Sequence, residues 1–439
     1  MSTTTSRESA PRPTAAEDAG GGVQFVESAE KRRQRLSTGI LIGVVGALLL
    51  ILLPSTSGVA RFALSDAFDE VQLPTVAVPG VTTVLVCAVL LLAAAAGFLS
   101  GKMAGRLPAL AATVAGLALV IGFLTWAAAG RDLPFPVSNQ FAGTLSLATP
   151  LVFGALCGVL CERAGVVNVS IEGQFLAAAF AAAVVGSVTQ SVPAAMIAAM
   201  IAGVVMAALL ALFSINYLVN QVVLGVVLNL LAVGVTGFLF DQLVQPASSV
   251  YNSAPVLEPV AIPLLSQIPF FGTVLFDQNI LAYLAGMSVL VVWLVLFKTS
   301  WGLRVRSVGE HPEAADTVGI SVRGVRWSAV LAGGLLAGLG GSFFTLASTG
   351  SFSKEFTVGN GFIALAALIM GRWHPGLAAV MALFFGFVTQ MASQLQTLST
   401  PMPSQFLLIL PYVATIIAVA GLVGRVRAPA ADGIPYEKS

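Results

Sequence analysis

Few side chains here can move a proton, hold an anion or donate a strong hydrogen bond, and they are bunched. VGEHPEAADTVGI, Val308 to Ile320, holds Glu310, His311, Glu313 and Asp316, with Arg304, Arg306, Arg323 and Arg326 flanking it. A second stretch, Cys161 to Gly173, holds Glu162, Arg163, Asn168, Ser170 and Glu172. General acid–base catalysis needs such groups converging on a reacting atom. The two histidines, His311 and His374, lie in polar connections and complete no Ser-His-Asp set. Cys157 and Cys161 share a helix face, but no further Cys or His stands nearby to close a metal site. They and Cys87 are expected to be small buried residues. The closest approach to a phosphate loop, Gly97 to Met103, is one residue short between its glycines and lacks a hydroxyl residue after Lys102. Catalysis, a resident metal and a bound cofactor are therefore not expected of this chain.

Something else must explain the polar clusters, and composition says what surrounds them. The 439 residues are 57% apolar and 9% charged, against roughly 25% charged in soluble domains. Runs such as Leu107 to Ala129 reach the roughly 20 apolar residues that cross a bilayer. A charge at mid-bilayer costs about 2.5–3.5 kcal/mol, and the charges are spaced to avoid it. The fold expected is an all-α, polytopic membrane helix bundle in contact with lipid. The net charge of +1 gives no sign of a nucleic-acid partner.

Residues 1–37 form a polar tail expected to be disordered and cytoplasmic. Lys31, Arg32, Arg33 and Arg35 then abut an apolar stretch, as in a signal anchor with its N-terminus inside. Twelve apolar segments follow, about 38–53, 81–99, 107–129, 141–160, 173–190, 193–215, 222–240, 279–297, 326–347, 361–371, 375–393 and 405–424. Threaded alternately, they leave 18 of the 21 Lys and Arg in the cytoplasm, and only Arg61, Arg131 and Lys354 outside. The tail at 426–439 is then cytoplasmic too, and 38–425 is the membrane domain. Segment 361–371 is too short to cross alone. It either extends into its flanks or forms a re-entrant pair with 375–393, which leaves about 10–12 crossings.

Polar, glycine-containing sequence interrupts the apolar pattern at Cys161–Gly173 and again at STGSFSKEFTVGNG, Ser348 to Gly361. The first faces in and the second out, the trace that inverted repeats with discontinuous helices would leave; two ordinary loops are the alternative. Non-helical backbone at membrane depth is tolerated where it is buried in protein or lines a cavity. Asn168, Ser170 and Glu172 are thus candidates for the substrate pathway. Alternatively, Glu172 pairs with Arg163 and caps the helix that follows. Asn229, inside an apolar segment, is a weaker pathway candidate, since an interhelical hydrogen bond explains it as well.

The first cluster lies in the loop 298–326. Pro312 can open a short helix, Glu310 and Glu313 complement its dipole, and Gly319 can end it. About two turns are marginal alone, so it is either a docking element steadied by a partner or a plain surface helix. GLRVRSVGEHPEAADTVGI, Gly302 to Ile320, resembles the coupling loop of bacterial ABC importer permeases of the nucleoside and simple-sugar group, relatives of ribose and branched-chain amino-acid permeases. ERAGVVNVSIEGQFLAAAF from Glu162 and GNGFIALAALIMGRWHPGLAAV from Gly359 resemble that group's other signatures, in the same order.

The resemblance covers roughly 141–425. It implies a permease of the bacterial cell membrane that docks an ATPase subunit through Gly309, Glu310, His311, Pro312, Glu313, Ala314, Ala315 and Gly319. It also implies a second permease subunit, an extracytoplasmic substrate-binding lipoprotein, and ATP and Mg used by the ATPase alone. The core Glu310 to Ala315 is most similar to nucleoside permeases, with simple sugars as the alternative substrate. An ion-coupled secondary transporter would need an ionisable residue within the membrane; the candidates Glu162, Arg163, Glu172 and Asp241 all lie at segment ends or breaks. The outer loop 241–279 is acidic, lacks Lys and Arg, and carries apolar clusters that suit a partner's surface or packing on the spans.

Overall fold

The computed structural model describes residues 29–65, 71–398, 405–406, 409, 412 and 427–437. Most of the polar tail, most of the last expected span, and Asp66, Asp69 and Glu70 lie outside the described residues. Among the described residues, ten helices are long and apolar enough to cross a membrane. They are α1 (Ala29–Leu52), α2 (Gly80–Ser100), α3 (Leu107–Ala128), α4 (Val137–Arg163), α5 (Ile171–Thr189), α6 (Val192–Ala211), α7 (Gln221–Leu239), α10 (Ile280–Lys298), α13 (Val322–Phe344) and α15 (Pro375–Thr397). Short helices fill the connections: α8 (Ser248–Tyr251), α9 (Phe271–Leu275), α11 (Ser300–Glu310), α12 (Pro312–Thr317) and α14 (Asn360–Met370).

Local signals set many of the boundaries. Asn220 accepts from the N–H groups of Val222 and Val223 at 3.1 Å to open α7, and Asn279 and Ser321 open α10 and α13 in the same way. Gly101, at φ 71°, ends α2. α1 starts at Ala29, so the basic run belongs to a helix and not to a disordered tail. Its Arg35 donates to the carbonyls of Phe98 and Leu99 at 2.5 and 3.2 Å, which satisfies the end of α2. α7 passes its expected end in a wide turn of π geometry, Phe240–Val244, which keeps Asp241 helical.

α4 lies at the centre, with 83% of its span buried, whereas α1 and α3 reach only 17% and form the periphery. α6 and α13 touch backbone to backbone. A Cβ on Gly203 would stand 2.4 Å from the Gly334 carbonyl, and one on Gly338 would stand 2.5 Å from the Met200 Cα. Gly334 and Gly338 thus serve close helix packing, as their spacing suggests. Two small sheets, unforeseen in the sequence, sit in connections: β1 (Val59–Ala63) between β2 (Val76–Pro79) and β3 (Phe135–Pro136), and β4 (Val260–Ala261) beside β5 (Asp277–Gln278).

Candidate functional site

The centre of the bundle is built around two interruptions. α4 ends at Arg163, Gly165 turns the chain at φ 84°, and α5 starts at Ile171. Asn168, fully buried, holds the shape between them. Its Oδ1 accepts from the Ser170 N–H at 3.1 Å and from the Ser170 hydroxyl at 2.8 Å, while its Nδ2 points at Cys157 Sγ and Gln174 Oε1. Gln174 in turn donates to the Ser170 hydroxyl at 3.2 Å. The polar atoms of Asn168 and Ser170 are therefore taken up within the chain, and both residues are fully buried.

α7 supplies the remaining partners. Asn229 Oδ1 accepts from the Gly173 N–H at 2.8 Å and its Nδ2 donates to the Val169 carbonyl at 3.0 Å, so one amide secures both sides of the break. Gln221 Oε1 accepts from the Val167 N–H at 2.6 Å. A break at membrane depth must satisfy its backbone from side chains, and Asn229 and Gln221 do so. The sequence singled out Asn229 but not Gln221 or Gln174; the signal for Gln221 was a second amide beside the Asn220 cap.

Glu172 faces the other interruption. Its Oε1 accepts from the Thr357 hydroxyl and, at 2.9 Å, from the Gly359 N–H; its Oε2 accepts from the Gly361 N–H at 2.6 Å. It sits at the positive end of α14, where a carboxylate is favoured. The expected alternative, a pair between Glu172 and Arg163, does not form. Arg163 Nε donates to the Trp373 carbonyl at 2.9 Å, and the Trp373 indole donates to Glu162. Both ends of α14 are thus held by the break between α4 and α5. With 11 residues, α14 is about 16 Å long. It is too short to cross a bilayer alone, it does not extend into its flanks, and it turns at Gly371–His374 into α15, which is long enough to cross.

The loop 298–326 meets the same break. α11 packs so closely on the end of α4 that a Cβ on Gly309 would lie 2.2 Å from the Arg163 carbonyl. His311 separates α11 from α12, Pro312 is the first residue of α12, and Gly319 adopts φ 84° just beyond it. Glu310, His311, Glu313 and Ala314 are exposed, while Gly309 and Ala315 are buried. Leu303 is 61% exposed and Val318 74% exposed, so an apolar edge of the loop is uncovered.

A separate cavity of about 340 Å³ opens between α4, α10 and α15. Thr149, Gln278 and Tyr283 are its main polar lining residues, and the Thr149 and Tyr283 hydroxyls and Gln278 Nε2 donate within the chain; none of Asn168, Ser170, Glu172 or Asn229 lines it. Among the described residues, no group of three or more His, Cys, Asp or Glu is placed to hold a metal ion.

A profile of the family described as branched-chain amino acid transport system / permease component matches residues 140–420. The chain is 39% identical over 308 residues to the nucleoside ABC transporter permease protein NupC of Lactococcus lactis, covering 68% of this chain and 96% of that protein. It is 40% identical over 304 residues to the guanosine ABC transporter permease protein NupQ of Bacillus subtilis, covering 67% and 95%. Identity to the putative glucose ABC transporter permease protein TsgC13 of Haloferax volcanii is 32% over 256 residues, 58% and 77% of the two chains. No solved structure gives a significant match.

Proposed function

The chain belongs to the branched-chain amino acid transport system permease family, and on that premise we propose that it is the membrane subunit of an ATP-binding-cassette importer for nucleosides. The observation that carries this reading is the 39–40% identity, over 95–96% of their length, to two permeases named for nucleoside and guanosine transport. Fewer identical positions link it to a permease named for glucose. Simple sugars are the second reading on that account.

In this reading ATP and Mg are used by a separate ATPase subunit, which docks on Gly309 to Gly319 with Glu310, His311, Pro312, Glu313, Ala314 and Ala315 between. The exposed edge of Leu303, Ala314 and Val318 suits such a contact. A second permease subunit completes the pore, and an extracytoplasmic lipoprotein delivers the solute. Both termini lie in the cytoplasm. Asn168, Ser170, Glu172 and Asn229 border the pathway by fixing the shape of the break between α4 and α5. Movement of the docked loop reaches that break through the contact of Gly309 with Arg163.

The test is reconstitution with the ATPase, the second permease and the lipoprotein in proteoliposomes. Labelled guanosine uptake is expected to require ATP and to withstand a protonophore, and labelled glucose or ribose to compete poorly. Uptake that follows a proton gradient without ATP would overturn the reading.

A further inference from the structure

The C-terminal segment 427–437 (RAPAADGIPYE) looks from its composition like a free tail, yet it is seated. The Ala431 N–H donates to the Gly309 carbonyl at 2.9 Å and the Ala430 N–H to the Glu310 carboxylate at 3.3 Å. Arg326 Nη1 donates to the Ile434 carbonyl at 3.0 Å. Tyr436 is buried, with its hydroxyl facing Asp316. Asp432 faces Glu162 at the end of α4. Gly165 passes so close that a Cβ there would lie 2.9 Å from the Ala431 carbonyl. Eleven residues thus bridge α4 and its break, α11, α12 and α13.

Arg326 shows that this seat is built. It is 1% exposed, and a guanidinium removed from water is costly unless it gains partners. Ile434 supplies one. Arg326 Nε and Nη2 and Asp432 Oδ1 have no partner within the described residues, so a small slide of the segment can exchange bonds as well as break them. With the segment seated, Leu303, Ala314 and Val318 of the loop remain exposed.

We propose that segment 427–437 is a positioning strap that clamps the ATPase-docking loop to the broken end of α4, so that displacement of the loop is transmitted to the junction of Glu172 with α14. The inference rests on the importer reading and adds to it a transmission role for the strap. Without the clamp, α11 and α12 would still offer their outer edge to the ATPase but would slip against α4. ATP hydrolysis would then continue with little transport.

In proteoliposomes of the complete transporter, deletion of 427–439 is expected to lower nucleoside uptake per ATP hydrolysed about tenfold, within the usual range of coupling energies. The ATPase should still co-purify, and the added 427–439 peptide should restore the ratio. An unchanged ratio overturns the proposal. If the deletion variant does not assemble, Tyr436→Phe removes one hydroxyl and is read by the same ratio. In the full chain, a Cys at buried Ala431 should resist a membrane-impermeant maleimide that labels a Cys at exposed Ala430; the native cysteines are buried and serve as controls. Equal labelling rates also overturn the strap. If wild-type uptake proves independent of ATP, the importer reading fails, and the labelling comparison still judges whether the strap is seated.

Discussion

The Glu172 carboxylate accepts the Gly361 N–H at 2.6 Å, and a Cβ on Gly361 would fall 2.4 Å from the Glu172 backbone nitrogen. Glu172 also lies in the first turn of α5. One carboxylate therefore stands at the positive ends of two helices, each carrying about half a unit charge there. Two interrupted segments, one on each side of the sequence, meet at this point. The junction needs an acid long enough to reach across and a residue without a side chain opposite it.

Substitutions at either residue are expected to weaken the junction in different ways. Gly361→Ala forces a methyl group onto backbone, and such overpacking costs about 1–3 kcal/mol. Glu172→Gln replaces one accepting oxygen with an amide that cannot accept, stranding an N–H of α14 at a cost of about 1–3 kcal/mol. Each should lower the melting temperature of the purified protein by several degrees and reduce uptake. Wild-type melting in Gly361→Ala would mean that α5 and α14 do not approach so closely.

Much of this was legible beforehand, for definable reasons. Apolar run length marks a span whatever its partners are, so eleven of the twelve expected segments, Thr38 to Leu53 through Pro375 to Ser393, coincide with described helices; the twelfth falls largely outside the described residues. The two breaks were visible because polar residues and glycines interrupt apolar sequence. Which residue bonds which across a break was not visible. Glu172 and Gly361 are 189 apart in sequence, and nothing local distinguishes that pairing from Glu172 with Arg163. Asn168 looked like a donor to a solute because its type allows it, whereas burial and the bonds to Ser170 and Gln174 depend on how α4 and α5 pack. The docking of 427–437 left no periodic signal, since it rests on isolated bonds to residues more than a hundred positions away.

Adjacent alanines in α12 should behave differently. Ala314 is exposed, while Ala315 is buried in the main core. Ala314→Asp leaves the fold intact and places a carboxylate where an ATPase would have to desolvate it. It should insert normally but lose ATPase co-purification and uptake. Ala315→Asp buries an unpaired charge within the chain, so it should lower yield and melting temperature before docking is in question. Equal ATPase recovery and uptake for Ala314→Asp and wild type would remove that position from the contact.

Seating of the strap should depend on pH through Asp432. Burial pushes this carboxyl up to about 7, against the opposing pull of a bond with Glu162 on α4, the charge of Arg326 on α13 and the Gly433 N–H. An exposed Asp titrates near 3.9. Because the seated value is raised, the stabilisation is full below about pH 4 and is lost as pH rises through about 7. A nitroxide on a Cys at exposed Ala430 should be immobile near pH 5.5 and gain a mobile component near pH 8. Asp432→Asn should be immobile at both. A mobility that ignores pH in the wild type would show that Asp432 does not carry this dependence.

The importer reading places the loop 241–279 outside, and this placement yields a prediction about delivery of the solute. Between Asp241 and Asn279 the chain packs only in part: Leu264 is 82% exposed, and Phe271 is exposed too. A bundle cap would bury such residues, and an aqueous linker would not contain them. Glu258, in the same loop, is exposed, and Asp241 is engaged by Lys354 at 2.7 Å in an exposed pair that contributes little to stability. Exposed apolar and acidic side chains in one loop fit a binding lipoprotein with basic residues around an apolar contact, where charge complementarity speeds encounter more than it strengthens the complex. Glu258→Lys should therefore slow lipoprotein association, most visibly at low salt, and leave the ATPase rate of the lipoprotein-free complex unchanged. Surface-plasmon measurement of association at two salt concentrations decides it. If the association rate and its salt dependence both match wild type, Glu258 lies outside the docking surface.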